Sequence, residues 1–273
     1  MSTLPLVLLL DMDHTIVGEC SMQVARYSIT TYLKHKHDVK SLMDDLENGL
    51  LRPYFESCIK LILTKYSNAE LFIFTAAEKK WAHIMINCIE KLLNIKFNRP
   101  IFSREYCTSE NGYLKKNITK LAPIIYRKLK SKYRLTHINQ LKKQIVLIDN
   151  SHVVGENDAH RFIKCPSYEY CYPCDVLEGL SKSKIKHHMT SIGTIIQKYS
   201  GNTNLNATTD FLRFMSLYYA FLSEHYKNTS SQSNKNRKDL DTFWLMVEKI
   251  FRNHNIHSFS VKVVTYMNKN VRV

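Results

Sequence analysis

Three short apolar runs stand out along the first 150 residues. Leu6 to Leu10 is continuous and apolar and ends in Asp11. Glu70-Leu71-Phe72-Ile73-Phe74 ends in Thr75, and Ile145-Val146-Leu147-Ile148 ends in Asp149. Runs of four to six apolar residues bounded by polar ones predict strands buried on both faces, as in a parallel sheet. Between them the apolar spacing turns helical. Phe55, Cys58, Ile59, Ile62 and Leu63 share one helical face after Pro53, which suits a helix start. Trp81, Ile84, Cys88, Ile89 and Leu92 share another. This alternation predicts an α/β fold, doubly wound around a mostly parallel sheet. Ligands of such folds bind beyond the carboxyl ends of the strands. Asp11, Thr75 and Asp149 are the first polar side chains at that edge.

The remainder reads as helical. Phe211, Phe214, Met215, Tyr218, Tyr219 and Leu222 form an apolar stripe at helical spacing, and a second helical pattern runs from Leu240 to Phe251. The stripe suits packing on the main domain, with a partner-binding helix as the sharper alternative. The polar segment 228–238 (NTSSQSNKNRK) between the two patterns is expected to be a linker or exposed loop. The expected division is a domain over 1–180 and a helical extension over 181–273. No internal repeat is visible.

Composition narrows the class. Of 273 residues, 44% are apolar and 23% charged, which supports a packed core. Seven glycines and six prolines exclude collagen-like and low-complexity chains. No apolar run approaches the roughly 18 residues of a membrane span. The stretch from Leu4 to Leu10 is broken by Asp11 and Asp13 and lacks a basic flank, so it does not read as a signal peptide. A soluble intracellular protein without a membrane partner is expected. The seven cysteines, an odd number, suggest reduced thiols. The net charge of +15 favours anionic partners: nucleic acid, phosphorylated protein or an acidic surface.

Asp11-Met12-Asp13-His14-Thr15 places two carboxylates one residue apart at a strand end. A carboxylate can attack phosphorus to form an acyl-phosphate, provided the phosphate charge is neutralised. Carboxylate oxygens suit Mg²⁺, and a second, protonated acid can donate to the leaving oxygen. The plain alternative is an acidic turn that merely closes a strand.

The wider pattern is more specific. LLLDMDHTIVG, LRPYFESCIKLI, LFIFTAAEKKWA, FSREYC with GYLKKNITKL, and VLIDNS follow one another in order. The first resembles motif I of the haloacid dehalogenase superfamily. The set, over roughly residues 4–180, resembles its small-CTD-phosphatase or NLI-interacting-factor-like group (FCP/SCP phosphatases), with a Rossmannoid fold. By that resemblance Asp11 is the nucleophile, and Asp13 is the general acid and then the base that activates water. Thr75 binds a phosphate oxygen, its other reading being a helix N-cap before Ala76-Ala77-Glu78. Lys116 offsets charge between nucleophile and phosphoryl group, with Lys115 as rival. Asn150 ligates Mg²⁺ with Asp11 and the Asp13 carbonyl, while Asp149 orients the lysine or the metal's waters. Thr15, Arg104 and Lys115 are further substrate-side candidates. The resemblance implies a phosphoserine/phosphothreonine protein phosphatase.

Departures from the family pattern are His14 in place of an acid or amide, His152 where proline is usual, and Asn111 where arginine often stands. No BRCT-like stretch is evident. In its Lys/Asn-rich composition, divergent motif flanks and unfamiliar tail, the chain also resembles a viral phosphatase-like protein of the 38K nucleocapsid-assembly family of baculoviruses and nudiviruses. That likeness implies a nuclear or virion-associated protein acting on, or scaffolding, a basic DNA-packaging protein. A nucleic-acid end phosphatase is a third reading.

Two features lie outside the catalytic set. From Lys115 to Gln144 there are ten Lys/Arg and no acid, an apparent basic insertion over about 122–144. It reads as a solvated face, or as a dock for an acidic, multiply phosphorylated or nucleic-acid partner, with Tyr126 and Tyr133 interleaved. Cys165, Cys171 and Cys174, with His160 upstream, could supply four zinc ligands. Their irregular spacing, with a single CxxC, favours ordinary thiols.

Overall fold

A computed structural model describes residues 4–110, 112–151, 154–201 and 205–271. Asn111 and His152 lie outside the described residues. The strands are β1 (Leu6–Leu10), β2 (Ala69–Ile73), β3 (Thr108–Glu110), β4 (Tyr113–Lys115), β5 (Ile145–Asp149) and β6 (Phe162–Lys164). The helices begin with α1 (Ser21–Tyr32), α2 (Val39–Asp45), α3 (Phe55–Lys65), α4 (Lys79–Leu93) and α5 (Ile118–Tyr133). They continue with α6 (Lys182–His187), α7 (Met189–Ser200), α8 (Phe211–Ser230), α9 (Gln232–Asp239), α10 (Phe243–Asn253) and α11 (Val261–Asn270).

The expected α/β architecture is present. Four parallel strands pair in the order β2-β1-β5-β6, flanked by helices. All five residues of β1, β2 and β5 are buried, as runs this rich in apolar residues require, and the burial extends to Glu70 in β2 and Asp149 at the end of β5. The chain moves from β1 to one neighbour, β2, and later returns to the other, β5. The connections therefore diverge at β1, and a crevice opens there beyond the strand ends. Val7, Leu9, Phe72, Phe74, Ile145 and Leu147 form one core with Ile118, Leu121, Ile125, Leu129 and Tyr133 of α5. The two-residue period of the strands and the helical period of α5 put these side chains on facing surfaces.

The basic stretch is thus anchored by an apolar face. One of its charges is paired: Lys132, its side chain still mostly exposed, and the Tyr133 hydroxyl donate to the buried Glu70, at 2.6 and 2.5 Å. Tyr133 points inward and the Tyr126 hydroxyl donates to Leu135 O, so neither ring is a free stacking platform.

The described chain divides into two compact units. One contains the sheet and comprises 1–17, 51–168 and 240–273. Residues from 240 onward group with this unit because α10 buries Phe243, Trp244, Val247 and Phe251. Trp244 packs edge-on to Phe55, and Phe251 edge-on to Tyr66, at 5.0 and 5.5 Å between ring centroids.

The other unit comprises 18–50 and 169–239. Its core joins Met22, Ala25 and Ile29 to Ile192, Ile196, Phe214, Tyr218 and Leu222. The expected stripe of α8 therefore packs inward within this unit, while Tyr219 is exposed. The segment 228–238, expected as a linker, is instead helical: α8 runs to Ser230 and α9 begins at Gln232. Hydrogen bonds, not apolar burial, hold it. The buried Asn234 amide donates to Cys171 O and Thr229 O at 2.9 and 2.7 Å, and its Oδ1 accepts from Cys171 N at 3.0 Å. Among the described residues no helix is long and apolar enough to cross a membrane.

Candidate active site

The parallel order β2-β1-β5 brings three strand ends side by side, and with them Thr75, Asp11 and Asp149. Lys116 reaches them from the turn between β4 and α5. Its ammonium contacts Asp11 Oδ1 and lies 2.7 Å from Asp149 Oδ2, with all three side chains buried. The lysine is fixed from behind. Asp158 accepts from Ile118 N, Thr119 N and Thr119 Oγ1 at 2.9, 3.3 and 3.0 Å, capping α5 just past Lys116. Asp149 is fixed in turn by Ser151, whose N and Oγ donate to Oδ1 at 2.8 and 2.9 Å. Lys115, on β4, is only partly buried, so burial and partners single out Lys116.

Thr15 closes the other side. Its hydroxyl donates to Asp11 Oδ2 at 2.9 Å and accepts from Asn150 N at 3.2 Å. The Asn150 amide nitrogen donates to Ser167 Oγ at 3.2 Å, while Oδ1 lies 3.4 Å from Thr15 Oγ1. Asp13 is held apart from the lysine. Thr75 Oγ1 donates to Asp13 Oδ2 at 3.2 Å and accepts from Ala77 N at 3.0 Å. Thr75 therefore closes a turn over Thr75–Ala77, just ahead of the Glu78 cap of α4, instead of capping that helix. Arg104 supports this turn, donating from Nε to Ala76 O at 2.8 Å.

Hydrogen-bond partners, Lys116 for one and Thr75 for the other, separate the two aspartates, while burial acts on both alike. Burial alone would lower Lys116, but Asp11 and Asp149 outweigh it and keep the ammonium charged. Lys116 is shared between two carboxylates and cannot offset both. Burial, against the pull of Lys116, pushes Asp11 up to about 7. Burial also raises Asp13, opposed by the Thr75 hydrogen bond. Burial thus favours the protonated form of both carboxyls, and Asp11, next to Lys116, is disposed to ionise as more positive charge approaches.

Three buried or near-buried carboxylates around one lysine leave negative charge uncompensated. Among the described residues no group of three or more His, Cys, Asp or Glu side chains stands ready to hold a metal. The converging oxygens are of mixed type: Asp11 Oδ2 and the neutral Asn150 Oδ1, both next to Thr15 Oγ1. That donor set fits a hard divalent cation that keeps several waters, as Mg²⁺ does.

The proposed zinc ligands are engaged elsewhere. Cys165 is buried, 3.6 Å from Thr15 Oγ1, and accepts from Arg52 at 3.7 Å. In the other unit Cys171 faces Asn234, and Cys174 packs in the core. His160 accepts from Arg161 at 3.1 Å. Burial pushes the Cys165 and Cys174 thiols up to about 11 and about 12.

Sequence reasoning passed over Ser151 and Arg52. Ser151 directly follows the Asp149-Asn150 pair, and serine is suited to such a turn. Arg52 is a lone charge before Pro53, with nothing in the chain nearby to mark its role.

A family model described as NLI interacting factor-like phosphatase matches residues 6–189. That span holds every residue of the Asp11 cluster. No curated protein matches the chain.

Proposed function

Because the chain belongs to the NLI interacting factor-like phosphatase family, we propose that it hydrolyses phosphoserine or phosphothreonine in protein through an aspartyl-phosphate on Asp11. The observation that carries this reading is the division of labour between two carboxylates one residue apart. Asp11 is tied to Lys116 and Thr15, while Asp13 is tied to Thr75.

Asp11 attacks phosphorus, and the bond to the serine or threonine oxygen breaks. Asp13 gives its proton to that leaving oxygen. The same carboxylate then takes a proton from water, which attacks the phosphorus of the acyl-phosphate and releases phosphate with Asp11 restored. Lys116 and the Thr75 hydroxyl stabilise the negative charge on the phosphoryl oxygens. Phosphatases of this superfamily generally use Mg²⁺. Asp11, Asn150 and the Asp13 carbonyl would hold it here, where it would neutralise phosphate charge as the nucleophile approaches. Thr15 orients Asp11 and Asn150 toward one another. Asp149 and Ser151 hold Lys116 in place.

The experiment is turnover of an aryl phosphate, a phosphopeptide and a 5′- or 3′-phosphorylated oligonucleotide, with Mg²⁺ and with chelator. Asp11→Asn serves as the blank. Metal-dependent release from the phosphopeptide, absent in the blank, supports the reading. Turnover retained in Asp11→Asn ends it, and preference for the oligonucleotide favours an end phosphatase.

The exposed face of α5 favours a polyanionic partner. Lys120, Arg127, Lys130 and Arg134 lie along it without an acid among them. An assembly role of the nucleocapsid type, in the nucleus or virion, would then need a DNA-packaging partner that is still phosphorylated. An unmodified basic protein would be repelled by this face and by the +15 chain. Co-purification of such a partner with Asp11→Asn, and its loss after phosphatase treatment, tests that role.

A further inference from the structure

The loop between Asp11 and Val17 is held from its backbone side by residues that come from far along the chain. His14 has a left-handed backbone, with φ of 57°, which is sterically disfavoured for a residue with a Cβ. Asparagine and aspartate tolerate this conformation best, and the family's acid or amide at this position fits that need. The loop therefore requires outside support. His14 O accepts from Tyr168 N at 2.9 Å and from Arg52 Nη1 at 3.3 Å. Thr15 O accepts from the Trp244 indole Nε1 at 3.0 Å and from the same Arg52 nitrogen at 3.4 Å.

Arg52 is itself buried, and a buried guanidinium needs a partner. Asp241 supplies it in fork geometry. Arg52 Nε donates to Asp241 Oδ1 at 2.9 Å, and Nη2 donates to Oδ2 at 2.8 Å. The guanidinium also lies over the Phe243 ring, 4.9 Å from its centroid. Trp244 is fully buried, between Phe55 and Phe243. Its indole N–H thus has a fixed direction.

Thr15 is the pivot. Its carbonyl is gripped by Trp244 and Arg52, and its hydroxyl touches Asp11 Oδ2. We infer that Asp241 and Trp244 are positioning residues, which set the orientation of Asp11 by holding the backbone of His14 and Thr15, directly and through Arg52. Both lie beyond residues 6–189, so the support comes from outside the region that the family pattern covers. The effect on turnover rests on the phosphatase reading; the effect on the loop does not.

The test compares full-length wild type with Trp244→Phe, Asp241→Asn and Phe251→Leu. Trp244→Phe removes the N–H and keeps an aromatic ring. Phe251→Leu weakens the same helix at its Tyr66 contact, away from the loop, and controls for general loosening. Amide hydrogen exchange of peptides covering residues 11–17 is read beside aryl-phosphate kinetics and Tm. In Trp244→Phe and Asp241→Asn, exchange at 13–17 is expected to quicken about tenfold, on the scale of one lost hydrogen bond. Their kcat is expected to fall about tenfold with KM within about twofold. Phe251→Leu lowers Tm and leaves both readouts unchanged. Wild-type exchange at 13–17 in both loop variants overturns the inference. So does a kcat loss in Phe251→Leu equal to that in Trp244→Phe at matched Tm. If exchange quickens as expected but wild type turns over no phosphomonoester, the phosphatase reading fails and the positioning role stands.

Discussion

Lys116 Nζ lies 2.7 Å from Asp149 Oδ2, both groups buried, while the same ammonium also contacts Asp11. The lysine holds two carboxylates that have no other cation at this distance among the described ion pairs. Its removal therefore has two separable consequences. Lys116→Met should lower turnover by about 10² or more, on the scale of one lost charge-stabilising group. It should also destabilise the sheet-bearing unit by about 3–5 kcal/mol, since two buried carboxylates lose their partner. Adding Asp149→Asn should recover part of the stability and none of the activity. Thermal melts and kinetics on the same samples check both, and recovery of activity in the double variant would contradict the assignment.

Asp11→Asn should abolish aryl-phosphate hydrolysis while the fold is kept, because asparagine is close in shape and no longer an anion. Thr75→Ala should lower kcat by about 10² through loss of one hydroxyl donor. A Thr75→Ala enzyme with wild-type kcat would leave Thr75 with only its turn-closing role.

The rate should fall on the alkaline side as Asp13 loses the proton it donates. Burial raises the Asp13 carboxyl, and the Thr75 hydrogen bond draws it down. Thr75→Val removes the lowering influence, so the alkaline limb of kcat should move to higher pH. A pH–rate profile of the two proteins measures this, and a shift to lower pH would refute the acid role of Asp13.

Stability of the unit that contains α2 should depend on Asp45. Burial pushes this carboxyl up to about 6 from an ordinary 3.8, against the lowering pull of Arg26 and Gln23. The folded state therefore holds the proton more tightly than the unfolded chain. The contribution of Asp45 is complete below about pH 4 and is lost as pH rises through about 6. Asp45→Asn should flatten the fall in stability over that window, as read by denaturant melts at fixed ionic strength. An unchanged pH slope would count against the burial argument.

Thiol reactivity should sort by burial. Cys107 and Cys171 are the partly exposed cysteines and should react first with a thiol reagent at pH 8. Cys20, Cys58, Cys88, Cys165 and Cys174 should wait for unfolding, since all five are buried. Elemental analysis should find no stoichiometric zinc.

Much of the site was already legible in the one-dimensional pattern. Asp11, Thr75 and Asp149 each close an apolar run, and a run buried on both faces leaves its first polar residue at the sheet edge. Hydropathy and periodicity are local, and they suffice for strands β1, β2 and β5 and for helices α3 and α4. On α4, Trp81, Cys88 and Ile89 are buried as expected, while Met85, Ile86 and Leu93 are buried in place of Ile84 and Leu92. Strand β6 and the β3–β4 hairpin are three residues per strand, too short for any period to register. The helix at 228–238 was missed because Asn234 holds it by hydrogen bonds, which hydropathy does not see.

The chain pattern alone determined that Asp11, Thr75 and Asp149 stand at the ends of three buried strands. Only the tertiary structure decided that Lys116, not Lys115, is the buried lysine, that Cys165 belongs behind Thr15, and that Arg52, Asp241 and Trp244 grip the loop. Those relationships depend on directional contacts between residues up to 229 positions apart. No local property of a sequence encodes a contact of that kind; it exists only once the core has brought the segments together.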